Sequence, residues 1–133
     1  FTIVRGPVEL TSDNIQVGKA LKNIFGSKFK KLRIVWMSSA NNIGVEIFQF
    51  IQPKQLIEKK QIEYWSGGII HIAVTERNIE DLLSKVTKTG GKQISKLWEL
   101  DPIKHHKLVF CSDPFGNIIE IYSHSFEQFH ANL

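Results

Sequence analysis

The sequence predicts an α+β chain built from two related units, and three observations predict it. A segment recurs: Arg33-Ile34-Val35-Trp36-Met37-Ser38 matches Lys107-Leu108-Val109-Phe110-Cys111-Ser112 at an offset of 74, and Val45-Glu46-Ile47-Phe48 falls on Ile119-Glu120-Ile121-Tyr122 at the same offset. In the second copy the apolar spacing changes from the period of a strand to that of a helix and back. Turn residues punctuate the changes, with Gly90-Gly91 before one strand and Asp113-Pro114-Phe115-Gly116-Asn117 between two others.

The first copy opens on the alternating strand-like run Phe1-Thr2-Ile3-Val4, without Met, so residues are expected upstream. Phe1 corresponds to the strand that follows Gly90-Gly91 in the second copy. A longer link runs from Leu10 to Lys31, and within it Ile15, Ala20, Leu21, Ile24 and Phe25 make one short helix. Arg33 to Ser38 and Val45 to Phe48 are the next two strands. The second copy is complete. Gly68 to Val74 is a β-branched strand. Ile79, Leu82, Leu83 and Val86 then fall at i, i+3, i+4 and i+7, the stripe of an amphipathic helix. Strands follow over Gln93 to Leu97, Lys107 to Cys111 and Ile118 to Tyr122. The order is βαβββ. Residues 1–53 thus hold a first unit lacking its opening strand and helix, 66–124 a full second unit, and 125–133 a tail. The first-unit partner of His71 belongs roughly 20 residues before Phe1.

Composition narrows the function classes. At 133 residues, with 42% hydrophobic and 23% charged, the chain is long enough for a core and is neither disordered nor fibrous. No stretch reaches the roughly 20 apolar residues that span a bilayer. The net charge of +4 comes from 14 Lys and only 3 Arg, and Lys28, Lys30 and Lys31 form the one tight cluster. Nucleic-acid readers concentrate arginine and aromatics on one face, so an anionic small molecule suits this balance better. The single cysteine, Cys111, excludes an internal disulfide and a Cys-rich zinc module and fits a reducing compartment, hence a cytoplasmic protein.

Two carboxylates stand out. Glu46 and Glu120 occupy equivalent repeat positions amid β-branched and aromatic strand residues, where a carboxylate is costly unless paired, hydrogen-bonded or metal-bound. One such Glu reads as an edge residue facing water; two at matching positions argue for a shared role. His71 sits mid-strand, where a histidine on its own is more often a satisfied core residue. In company with Glu46 and Glu120 it makes a ligand set for a divalent ion. His105 and His106 are adjacent, so their side chains point apart and chelate poorly. His124 and His130 lie past the last strand, with His124 placed to line a pocket mouth. Cys111 has no activating partner nearby in sequence and reads as a small buried hydrophobe. Trp36, Trp65 and Trp98 read as core or pocket wall.

The second copy resembles the vicinal oxygen chelate superfamily, which includes glyoxalase I, methylmalonyl-CoA epimerase, extradiol dioxygenases and the fosfomycin and bleomycin resistance proteins. The resemblance lies in Gly68-Ile69-Ile70-His71-Ile72-Ala73-Val74, in Gly90-Gly91, and in Asp113-Pro114-Phe115-Gly116-Asn117-Ile118-Ile119-Glu120-Ile121; the first copy joins it through Gly44-Val45-Glu46-Ile47-Phe48. It implies a single domain over 1–133, in which two βαβββ modules form a cupped, mixed eight-stranded sheet around a metal. It implies ligands on the first and last strand of each module: His71 and Glu120 in the second, Glu46 in the first, whose other ligand position has no counterpart here.

A second carboxylate looks more like glyoxalase I than like the two-histidine, one-carboxylate dioxygenases. The resemblance thus implies a metal-dependent lyase or isomerase, similar to lactoylglutathione lyase, acting through an enediolate on a small carbonyl or thioester. Glu120 is then the catalytic base as well as a metal ligand. Zn, Ni, Co, Fe or Mn fits such a site, and glutathione enters as a cosubstrate. Two other readings stay open: a metal-dependent ring-cleaving dioxygenase, and a non-catalytic protein that sequesters a small molecule such as an antibiotic. The incomplete first module leaves sheet edge uncovered, which implies a homodimer. The link from Leu10 to Lys31 suits a lid whose lysines meet an anionic substrate.

Overall fold

The computed structural model describes residues 1–56, 63–65 and 67–131. The chain divides into two compact units, Phe1–Ile57 and Glu58–Leu133. The first is an antiparallel sheet of three strands in the order β1 (Thr2–Thr11), β2 (Lys31–Ser38), β3 (Gly44–Gln52), with helix α1 (Gly18–Phe25) in the link between β1 and β2. The second contains β4 (His71–Thr75), α2 (Ile79–Lys88), β5 (Lys92–Gln93), β6 (Trp98–Asp101), β7 (His106–Ser112), β8 (Ile118–Tyr122) and α3 (Phe126–His130). Its sheet runs β4-β8-β7-β5, with β6 also on β7. Among the described residues only β4 and β8 are parallel, and α2 lies in the crossover between them. The α+β class predicted from the sequence stands.

The repeat is present in the hydrogen-bond register. Across β2 and β3, Ile34, Val35, Trp36, Met37 and Ser38 face Phe48, Ile47, Glu46, Val45 and Gly44. Across β7 and β8, the residues 74 positions later face one another in the same five pairs, Trp36–Glu46 becoming Phe110–Glu120. The preceding strand repeats too. Thr2, Ile3 and Val8 face Ser38, Met37 and Ile34, and Lys92, Gln93 and Trp98 face Ser112, Cys111 and Leu108. Here the offset is 90, so the first unit's link is longer by 90 − 74 = 16 residues.

The strand predicted over Gln93 to Leu97 is in fact two pieces, β5 and β6, on either side of a bulge. The amides of Ile94 and Ser95 both donate to the Phe110 carbonyl, and the Ser95 hydroxyl accepts from the Phe110 amide. The serine side chain satisfies the ladder where the backbone leaves it. The first unit is irregular at the equivalent place, between Arg5 and Val8 of β1.

Each helix forms for a legible reason. Asn78 caps α2 by accepting from the Asp81 amide, and Lys85 pairs with Asp81 one turn on. The two glycines after α2 do different work: Gly90 takes φ +89, and a Cβ on Gly91 would lie 2.6 Å from the Ser112 carbonyl oxygen. Asn14 receives the amides of Gln16 and Val17 just before α1. α3 was not foreseen, though its signal was present: Ser125 and Gln128 form a reciprocal capping box.

The helices cover opposite sheet faces. In the second unit α2 packs Ile79, Leu82, Leu83 and Val86 against Val109, Cys111, Ile119 and Ile121, the odd-numbered positions of β7 and β8. In the first unit α1 packs Leu21 and Phe25 against Leu32, Ile34, Phe48 and Phe50, the even-numbered positions. Phe25 lies 5.6 Å from Phe48 and 5.3 Å from Phe50, edge to face in both cases. An offset of 74 preserves parity, so α1 lies on the face that corresponds to the face of β7 and β8 away from α2. Among the described residues no helix is long and apolar enough to cross a membrane.

Candidate active site

Glu120 occupies the middle of β8 and points away from α2, since its neighbours Ile119 and Ile121 fill the α2 side. Phe110 faces it from β7 and Ala73 from β4. It is buried, with 6% of its surface exposed. On β4, Val74 packs toward α2, so the alternation turns His71 and Ala73 to the Glu120 side. His71 Nε2 lies 3.1 Å from Glu120 Oε2. The imidazole also meets the Phe110 ring edge-on at 5.4 Å. Two residues widely separated in sequence thus meet at one carboxylate oxygen.

Tyr122 lies two positions beyond Glu120 on the same face. Its phenol is pushed up to about 12, first by burial and then by its interaction with the Glu120 carboxylate. It is a retained donor beside the acid at any physiological pH. Sequence reasoning passed over it; its place two residues from Glu120 on one strand was the available signal.

Glu46 belongs to the first unit. It sits on the α1 side of β3, beyond Phe48, and is exposed. Trp36 faces it on β2, and the indole Nε1 donates to Glu46 Oε1 at 2.6 Å. Arg5 stacks over the same indole, 5.4 Å from the ring centroid. Glu46 therefore has one oxygen engaged and one free. Among the described residues, no three His, Cys, Asp or Glu side chains gather within either unit to hold a metal. His71 and Glu120 come together.

The remaining histidines separate as their neighbours in sequence require. His105 is exposed, and its Nδ1 contacts Glu99 Oε1 at 2.9 Å. His106 is buried, stacked on Phe129 and against His124 with ring centres 4.6 Å away in each case. His130 lies near Tyr122. Cys111 is fully buried in the core under α2, and burial pushes its thiol up. It is a small hydrophobe and not a nucleophile. Trp36 packs against the first unit's core as expected, whereas Trp65 and Trp98 depart from expectation at 83% and 54% exposed, because one lies in the segment before β4 and the other in the short piece β6.

The fold is shared with a solved structure. A glyoxalase family protein from Bacillus cereus superposes with a TM-score of 0.66 over 91% of this chain and 76% of that one, at 16% sequence identity. No protein-family model and no curated protein matches the sequence.

Proposed function

We propose that the chain is a metal-dependent lyase or isomerase of the glyoxalase kind, acting through an enediolate on a small carbonyl or thioester substrate. The observation that carries this reading is the His71–Glu120 pair. Two donor atoms each about 2.1 Å from one ion, at tetrahedral or octahedral angles, stand about 3.0–3.4 Å apart. His71 Nε2 and Glu120 Oε2 are 3.1 Å apart. An imidazole nitrogen and a carboxylate oxygen suit Zn, Ni, Co, Fe or Mn.

We assign Glu46 as a further ligand. It holds the repeat position of Glu120, and Trp36 orients it by the kind of outer hydrogen bond that positions metal-ligating carboxylates. A divalent ion bound there would draw charge from adjacent substrate oxygens and stabilise the enediolate. The side chains do the rest. Glu120 takes a proton from the carbon beside the carbonyl and returns it to the neighbouring carbon. The phenol of Tyr122 stays protonated next to the acid. In the first unit α1 packs on the Glu46 side of its sheet as far as Phe48 and leaves Glu46 itself exposed. Glutathione is the cosubstrate we assign on the same reading.

The test has two parts. Metal analysis of the purified chain should find bound divalent ion, lost in His71→Ala. Glu120→Gln should melt as the parent does and lose solvent-deuterium exchange into hemithioacetal and 2-acyl thioester substrates by about 10²–10⁴-fold. Exchange near the parental rate in Glu120→Gln removes the base role. Oxygen uptake on catechols would instead identify the dioxygenase chemistry, and tight ligand binding without turnover a sequestering protein.

A further inference from the structure

We infer that the second unit carries a separate oxyanion-binding site at the carboxyl ends of β4 and β8. A cavity of about 600 Å³ opens there, and every residue on its wall is polar. That volume falls within the range of small-molecule sites, while the lining differs from the mostly apolar walls of those sites. Its position is also informative. β4 and β8 are the unit's only parallel pair among the described residues, and ligands of parallel sheets gather outside the strands' carboxyl ends. Thr75 is the last residue of β4, Ser123 follows the last residue of β8, and the Thr75 hydroxyl donates to the His124 carbonyl across the gap.

The hydrogen bonds around this cavity leave donors in excess. Ser123 Oγ accepts from the Lys107 amide at 2.8 Å and shares a hydrogen bond with His124 Nδ1, also at 2.8 Å. Ser125 Oγ and Gln128 Oε1 both accept within the capping box, which leaves the serine proton and the glutamine amide group as donors. Lys107 spends one bond on Glu80, the only acid on the wall, at 3.1 Å. Arg77 has no ion pair or side-chain hydrogen bond among the described residues. Two full cations, one acid already paired, and unfilled donors on Ser125 and Gln128 describe a receptor for a group with several acceptor oxygens. The planar fork of Arg77 matches phosphate in particular. We therefore assign a phosphomonoester as the ligand class.

This site does not overlap the His71–Glu120 pair. Neither residue lines the cavity, and Thr75 is four positions along β4 from His71, about 13 Å at strand rise. The site does not rest on the proposed lyase reading and can fail or hold by itself.

The experiment is a titration of the full ¹⁵N-labelled chain with inorganic phosphate and with glycerol phosphate, followed by amide shifts, against chloride at matched ionic strength. Saturable shifts are expected at Arg77, Lys107, Ser123, His124, Ser125 and Gln128, tighter for glycerol phosphate. Arg77→Gln, at an exposed position, should keep the parental melt and weaken binding about tenfold or more, the loss of a charge-assisted bond. His71→Ala and Glu120→Gln should bind phosphate as the parent does. Equal binding by Arg77→Gln, shifts spread over the surface lysines, or no saturation would each overturn the assignment.

Discussion

Trp36 donates its indole proton to Glu46 across β2 and β3, and the same register places Phe110, which has no proton to give, opposite Glu120. The two carboxylates are equivalent by position but held differently: Glu46 is exposed and oriented by an indole, whereas Glu120 is buried and met by His71. The division suits a ligand at Glu46 and a ligand that also moves a proton at Glu120.

Trp36→Phe removes the donor and keeps most of the ring. Glu46 is exposed and Trp36 partly buried against the core, so the melt should fall by about 1–2 kcal/mol, from the lost hydrogen bond and the smaller ring. Metal affinity by calorimetric titration should fall about 10–100-fold, the usual cost of losing an orienting outer partner. Unchanged affinity would show that Glu46 does not ligate.

Stability should depend on pH through Tyr122. Its folded value is raised from 10.0 to about 12, so between those values the folded chain keeps a proton the unfolded chain has released. The contribution is complete below pH 10 and is lost as pH rises through about 12. Tyr122→Phe cannot titrate, and its melting temperature should fall less steeply over that window. Parallel curves for the two proteins would show that the phenol is not held by Glu120 and burial.

Leu32 is fully buried in the first unit's core, between α1 and the sheet. Leu32→Ala should cost about 2–5 kcal/mol, read as a lower urea midpoint with an unchanged slope. Because α1 rests on the same cluster, its amides should exchange faster than those of β2.

Cys111 should be inert in the native chain. Burial excludes reagents and raises the thiol, so a thiol-specific reagent should label it only at the rate of unfolding. Rapid stoichiometric labelling without denaturant would show that the strands around it open locally.

Much of this architecture was legible in the sequence. The offset of 74 between Arg33–Ser38 and Lys107–Ser112 is the offset of the observed ladders, because a one-residue slip would turn every apolar side chain to the wrong face. The stripe Ile79, Leu82, Leu83, Val86 became the packed side of α2 for the same reason of periodicity. The bulge at Ser95 was not legible, since a hydroxyl that replaces a ladder bond leaves no periodic trace. Of the polar cavity only His124 was legible, placed to line a pocket mouth; the rest of the wall is drawn from β4, the α2 entry, β7, the segment after β8 and α3, whose residues read as ordinary surface.

The sequence by itself determined the two units, their strand registers and the face on which each carboxylate lies, because those follow from local periodicity repeated at a fixed offset. Tertiary structure alone decided that His71 Nε2 meets Glu120 Oε2 at 3.1 Å, that Trp36 occupies one oxygen of Glu46, and that α1 covers the opposite face from α2. Those outcomes depend on side-chain directions across strands far apart in the chain, and on where a 16-residue longer link can bury Leu21 and Phe25. Burial against a particular partner is a property of three-dimensional packing, and no spacing along the chain encodes it.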